Sequence, residues 1–350
     1  MRITGLGEHL PGPPVTNAEL AQLFGLHERW LATMTGNRTR YYCGWGGEEP
    51  TTVTDIAAAA GQAALDQARV APRDLDFVVL ATASPDELMP ATVNRVLDRL
   101  LINDVPALQL ASGCAGALQA LFVARSLLAG GLERGLVIGA DSCRQMWAAA
   151  PRATDMHPSE MINFAMFGDG AGAAVVQSGT AGPGLVVEEL FVRSSGLDRE
   201  PGQVVRWYGG AGAPMVDDRR RGRVREAMAT EDYKAIEREV PRAARLILDE
   251  LLARTGWSLD EVEHVLTPQL NGVMTERVRD FLGVREEQAV SCVADTGNNG
   301  NGLPFIQLAR ARRLLTGRPD PSARLLLCAV ESSKWIHTGM ALRYRAGAAA

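Results

Sequence analysis

The chain has 350 residues, an apolar share of 46%, a charged share of 22% and a formal net charge of −5. That length fits one or two globular domains, and the mild negative charge gives no basis for binding nucleic acid or an anionic membrane. No run reaches the about 18 apolar residues of a membrane span, the start lacks a signal peptide's apolar stretch, and five irregularly spaced cysteines argue against a disulfide framework or zinc site.

In chain order, the first break is a turn at Pro11-Gly12-Pro13-Pro14. A helical stretch around Ala63-Ala64-Leu65-Asp66 leads through Pro72 to Asp76 into an apolar run, Phe77 to Thr82, which reads as a buried strand. A second apolar strand, Ala107 to Ala111, enters the turn Ser112-Gly113-Cys114-Ala115-Gly116, and that turn opens a helix running through Leu128. The strand from Arg134 to Gly139 follows, then a glycine-rich segment, Phe167 to Ala173. Thr180-Ala181-Gly182-Pro183-Gly184 breaks the pattern and places a boundary near 179–184. From Ser194 to Thr230 glycine, arginine and aromatics (Trp207, Tyr208, Arg219 to Arg221) mix without period, which predicts a long loop or cap. A helix around Leu246 to Glu250 then leads through Ser258 to Glu261 into the strand Val262 to Thr267. Thr296-Gly297-Asn298-Asn299-Gly300 opens a helix through Leu315, and the strand Arg324 to Ala329 follows. The last residues, Ala346 to Ala350, read as a tail.

Helix, linker, strand, glycine turn, helix and strand thus occur twice in the same order, at a distance of roughly 185 residues. A period this long marks a duplicated α/β unit, not a solenoid. The strands are short runs of Val, Leu and Ile, as expected of largely buried sheets.

Cys114 sits between a strand and a helix, at the helix N-terminus. Unpaired N–H groups and the macrodipole there favour a thiolate, and small neighbours let a substrate approach the backbone. Read locally, the residue is equally a nucleophile or a buried structural cysteine.

Ala111-Ser112-Gly113-Cys114-Ala115-Gly116 resembles the nucleophile turn of the type III ketoacyl synthases, members of the thiolase-like fold. The likeness spans nearly the whole chain. Thr16 to Leu20 and Trp30 to Arg38 look like the family's Trp-to-Thr-Gly segment; Phe167 to Ala173 is similar to a family motif in which Asp169 is structural. Asn298 stands where the family carries its catalytic asparagine. The resemblance implies an α/β chain with a thiolase-like five-layer αβαβα fold and two pseudo-symmetric halves. Residues 1–180 would carry the nucleophile and 181–350 the asparagine.

It also implies a ping-pong scheme. A thioester of coenzyme A or of an acyl carrier protein acylates Cys114, a second substrate takes the acyl group, and no cofactor is needed beyond that phosphopantetheine. In condensing members the second substrate is a malonyl thioester, whose decarboxylation leaves an enolate stabilised by a histidine and the asparagine. The family's His-Gln-x-Asn reads here as Pro268-Gln269-Leu270-Asn271, so proline replaces the histidine. Proline has no side-chain donor, and loss of one such donor costs roughly 3–4 kcal/mol of transition-state stabilisation.

The expectation is therefore an acyltransferase that passes the Cys114 acyl group to a non-malonyl nucleophile (N, O, S or an acidic carbon), in specialised, polyketide-type metabolism. The alternatives are a decarboxylative synthase with a substitute donor, or a degenerate partner subunit of an active homologue. His157 and His337 are the candidate donors, whereas His264 reads as a core or edge residue. Trp30, Met89, Pro268 and Trp335 are expected at the substrate site. The family's glycine-rich loop reads here as Glu331 to Gly339 with bulky side chains, and Met34 replaces an arginine common in members that accept coenzyme A. Met89-Pro90 matches the place where members send a residue into the partner's acyl pocket, implying a homodimer; a cytoplasmic location is expected from the lack of a membrane span, a signal stretch and a disulfide framework.

Overall fold

The computed structural model describes residues 1–47, 51–143, 158–205, 229–316 and 322–347. Among these, nine strands form one mixed sheet. They are β1 (Arg2–His9), β2 (Phe77–Thr82), β3 (Ala107–Ala111), β4 (Arg134–Asp141) and β5 (Gly170–Gln177), then β6 (Gly184–Ser194), β7 (His264–Leu266), β8 (Ser322–Glu331) and β9 (Ile336–Arg345). Their order across the sheet is β7-β8-β9-β6-β1-β5-β4-β2-β3.

From the centre outward, β1-β5-β4-β2-β3 and β6-β9-β8-β7 are one arrangement used twice. β2 pairs in parallel with β3 and β4, and β7 pairs in parallel with β8. The second strand of each set is antiparallel to the third: β5 to β4, β9 to β8. β3 has no full counterpart; a single parallel bridge from Val265 to Ala289 stands in its place. The two sets join where Arg2 and Ile3 face Val186 and Leu185. The repeat in the sequence is thus a repeat of topology.

Among the helices that pack on the sheet are α1 (Val53–Ala68), α2 (Gly116–Ala129), α3 (Tyr233–Thr255) and α4 (Leu303–Leu315). α1 starts where it does because Thr52 and Asp55 form a capping box, each satisfying the other's backbone N–H. β2 shows why its sequence is continuously apolar. Phe77, Val79 and Ala81 join a cluster with α2 and α4, while Val78 and Leu80 join another with α1. Covered on both faces, the strand has no wet side and no alternation. Burying a side chain as large as Phe77 contributes about 1.5–3 kcal/mol. The other half repeats this: Leu325 and Leu327 face α2 and α4, and Leu326 and Cys328 face α3. Five layers result, α/β/α/β/α, with α2 and α4 central. Among the described residues no helix is long and apolar enough to cross a membrane.

Two expectations are revised. Of the long loop from Ser194 to Thr230, the first residue ends β6, and Gln203–Val205 pairs with Ala229–Glu231 as a two-stranded ribbon. Trp207, Tyr208 and Arg219 to Arg221 lie outside the described residues, as do residues 348–350 of the expected tail. The segment from Glu331 to Gly339 is not an open loop: β8 and β9 form a hairpin paired from Ser322–Arg345 to Glu331–Ile336, with a four-residue turn. Trp335 adopts a left-handed backbone conformation (φ 59°) at the end of that turn. The strain, on the order of 1 kcal/mol, is offset by its anchors. The indole N–H donates to Glu200 O (2.8 Å) and the Arg199 guanidinium lies 4.2 Å from the ring centroid.

Candidate active site

Cys114 lies in the turn between β3 and α2, where the central layer meets both halves. No side chain caps the start of α2, so that end presents its backbone dipoles to the turn. The turn is gripped from the other half of the molecule. Asn301 Nδ2 donates to Ser112 O (2.8 Å) and to Asp141 Oδ2 (2.9 Å), and Asn301 N donates to Asp141 Oδ2 (2.7 Å). Position 116 must be glycine, because a Cβ there would lie 2.2 Å from Asn301 Oδ1.

The equivalent turn of the second half carries Asn298. Its backbone is clasped by the glycine-rich motif, Asn298 N donating to Met166 O (3.0 Å) and Gly168 N to Asn298 O (3.1 Å). Asp169 is structural, as the resemblance implies: it accepts from Cys43 N (2.8 Å) and Ser142 Oγ (3.0 Å). Gly300 N donates to Asn298 Oδ1 (3.0 Å), which fixes the amide through its oxygen and leaves Nδ2 as its remaining polar atom, a donor only. Gly300 has φ 52° and packs against Asp141, where a Cβ would come within 2.2 Å of Oδ2. Here too only glycine fits.

Cys114, Pro268 and Asn298 line one cavity of about 50 Å³. Ile236 and Val240 of α3, with Leu303, give it an apolar wall. Thr267 separates Pro268 from the end of β7, and the proline side chain offers only carbon. Gln269 and Leu270 also border the cavity, but the Gln269 amide is committed to Val290 O, Cys292 N and Val293 N, and Asn271 caps the helix Gly272–Leu282. Among the described residues lining the cavity there is no imidazole.

The remaining expected site residues lie elsewhere or outside the description. His337 is the second residue of β9; its Nδ1 lies 3.4 Å from Ser195 Oγ, and burial and Arg199 lower its pKa. His337 and Trp335 do not line the cavity; Trp335 is buried beneath the hairpin turn. Trp30 and Met34 are exposed on the helix Glu28–Thr35, and Met89 is 88% exposed. His264 is buried at the start of β7. His157 falls outside the described residues.

The electrostatics correct the expectation of a ready thiolate. The Cys114 thiol is pushed up to about 12, by burial first and then by the charges of Glu331, Asp141 and Glu231. These outweigh the helix end, so the resting thiol keeps its proton. Asp141 is itself raised to about 6 by burial, against the hydrogen bonds that Asn301, Ala83 and Ser84 donate to it. None of these carboxylates was singled out from the sequence. One signal existed: Asp141 and Glu331 each end an apolar strand of the repeat, where a charge is otherwise out of place.

The chain matches the model of the 3-oxoacyl-[acyl-carrier-protein] synthase III family over residues 108–196, and that of its C-terminal part over residues 252–333. It is 32% identical to a beta-ketoacyl-[acyl-carrier-protein] synthase III of Streptomyces coelicolor, over 93% of this chain and 92% of that one. Among solved structures it is similar to AbyA1, a tetronic acid condensing enzyme, with 44% identity, a TM-score of 0.86 and coverage of 97% and 99%. It is also similar to the 3-oxoacyl-(acyl carrier protein) synthase III of Pseudomonas aeruginosa, with 26% identity, a TM-score of 0.82 and 99% of each chain covered.

Proposed function

The chain belongs to the 3-oxoacyl-[acyl-carrier-protein] synthase III family, and from that premise we propose that it transfers an acyl group from Cys114 to a nucleophile other than a malonyl thioester. The observation that carries this reading is the shared cavity of Cys114, Asn298 and Pro268. It offers one amide donor where decarboxylative chemistry uses an amide and an imidazole, and the missing donor is worth roughly 3–4 kcal/mol. An acceptor that is already acidic or nucleophilic needs no decarboxylation. Such an acceptor tolerates the proline.

The scheme has two halves. A coenzyme A or carrier-protein thioester acylates Cys114 and its own thiol departs. The acceptor then attacks the Cys114 thioester, the Asn298 amide stabilising the oxyanion, and the cysteine is released. An acidic carbon or a hydroxyl is the favoured acceptor, in polyketide-type specialised metabolism. The likeness to a tetronic acid condensing enzyme supports this, since a tetronic acid ring contains both an acylated acidic carbon and an ester oxygen.

A homodimer is part of the same reading. β3 is an edge strand of the sheet, and Leu88, Met89, Leu101 and Leu108 are exposed apolar side chains. An open edge with apolar residues is a surface that proteins cover.

The test is intact-protein mass spectrometry with a panel of acyl-coenzyme A and acyl-carrier-protein thioesters, followed by a chase with 1,3-dicarbonyl or hydroxyl acceptors. The expected result is an adduct on Cys114 that the acceptors discharge. Carbon dioxide release from malonyl carrier protein at rates typical of the family's condensing members would overturn the choice of acceptor, and no adduct with any donor would favour a non-catalytic partner subunit.

A further inference from the structure

If the resting thiol holds its proton and proline replaces the histidine, another group must take that proton when a thioester arrives. Three carboxylates act on Cys114, and their surroundings differ. Asp141 is saturated: Oδ1 accepts from Thr82 Oγ1 (3.1 Å), Ala83 N (2.7 Å) and Ser84 Oγ (3.1 Å), and Oδ2 from Asn301 N (2.7 Å) and Nδ2 (2.9 Å). Two of those donors are backbone N–H groups, so the carboxylate is a fixed clamp. Glu231 lies on the two-stranded ribbon, where Gln203 Nε2 donates to its Oε1.

Glu331 is different. It is the last residue of β8, only 4% exposed, and its carboxyl lies against the nucleophile turn itself. A Cβ on Gly113, the residue before Cys114, would sit 3.2 Å from Glu331 Cδ and 3.4 Å from Oε1. Ser112 Oγ donates to Oε2 (2.8 Å), and Ser333 Oγ donates to Oε1. Gln119 Nε2 donates to Ser112 Oγ (2.6 Å); since an amide nitrogen only donates, the Ser112 proton must point at Glu331. Gln119 Nε2 also lies 3.5 Å from Oε2, so among the described residues the carboxyl group accepts from side chains alone and from no backbone N–H. After burial, its charge is the largest influence on the Cys114 thiol.

We infer that Glu331, whose carboxyl packs on Gly113 in the cysteine turn, is the base that takes the Cys114 proton as the donor thioester is attacked. The inference rests on the acyl-transfer reading. In the first half, the S–H bond breaks, its proton moves to a Glu331 oxygen, and the sulfur forms a bond to the acyl carbon. The donor's C–S bond then breaks, and the departing thiolate recovers the proton from Glu331. In the second half, Glu331 takes the acceptor's O–H or C–H proton while the acceptor bonds to the acyl carbon, and the Cys114 thiolate receives it on leaving. Atoms and charge balance with no further reactant.

The inference makes two readouts move in opposite directions. Glu331→Gln removes a charge that favours the protonated thiol, so alkylation of Cys114 by iodoacetamide shifts its midpoint to lower pH. The same variant loses the base, so single-turnover acylation by butyryl-coenzyme A, or another donor that loads the wild type, falls about a hundredfold or more. Glu331→Asp keeps the charge with a shorter reach; its alkylation midpoint stays near that of the wild type and acylation recovers in part. Glu331→Gln thus alkylates faster at a fixed pH while it acylates more slowly; a structural role would slow alkylation and acylation together, and that result overturns the inference. Acylation of Glu331→Gln within threefold of the wild type also overturns it, as does finding the opposed pair in Glu231→Gln instead. If the wild-type chain loads no acyl group at all, the acyl-transfer reading itself fails; if it loads and Glu331→Gln loads as fast, only the assignment of the base fails.

Discussion

Asp141 and Glu331 close equivalent strands of the two halves, β4 and β8, and each reaches across to the other half's turn. Asp141 holds the asparagine turn through Asn301, and Glu331 holds the cysteine turn through Ser112. The duplication placed two carboxylates alike, and local donors then gave them different work. Asp141 is locked by backbone N–H groups and sets geometry. Glu331 is held by hydroxyl groups and an amide instead. Equivalent positions in a repeat share their place in the fold; their chemistry follows from what donates to them.

The comparison breaks most completely if Cys114 is dispensable. Cys114→Ala is expected to abolish the acyl adduct altogether, since the second-half turn has no nucleophile; any adduct surviving in the intact-mass spectrum places the chemistry elsewhere. Asn298→Ala tests the other turn. It should leave Cys114 loading intact and slow discharge to the acceptor by roughly a hundred- to thousandfold, measured by single-turnover chase. If loading falls equally, the two turns do not divide the reaction.

Asp141→Asn asks whether that carboxylate is only a clamp. An amide nitrogen would face the Asn301 or Ala83 donors, and stability should fall by about 1–3 kcal/mol in urea titrations. The pH dependence has a definite sign. Asp141 is raised from 3.8 to about 6, so its contribution is fully present below pH 3.8 and is lost as pH rises through about 6. That loss is on the order of 3 kcal/mol, and comparing wild type with Asp141→Asn across this window should show its absence in the variant. The smallest effect expected is a gain. Pro268→His returns a ring donor to the cavity wall and should raise carbon dioxide release from malonyl carrier protein about tenfold, equivalent to about 1.4 kcal/mol. No gain would mean that the wall does not present position 268 to the substrate.

Much of this was legible in the chain. β2 announced itself by six consecutive apolar or β-branched residues, because a strand covered on both faces has no polar side to show. The cysteine turn was readable from small residues between strand and helix, and Pro268 from one departure in a family motif. The hairpin at Glu331 to Ile336 was not, since its bulky turn residues are stabilised by Arg199 and Glu200, more than 130 residues away in sequence. His337 and Trp335 attracted notice as functional side chains beside that turn. Strand register sets His337 opposite Val330 and Arg193, and the indole N–H is used to tie down a neighbouring segment.

The sequence alone determined the duplicated α/β architecture, the small-residue turn that holds Cys114 and the proline in the place of the family's histidine. Periodicity and local turn chemistry act over a few residues and are written directly in the order of the chain. The charge state of Cys114 was decided only by the tertiary structure. The carboxylates that hold its proton come from β4, β8 and the ribbon strand Ala229–Glu231, and their effect depends on distance and dielectric, which exist only once those segments are packed around the sulfur.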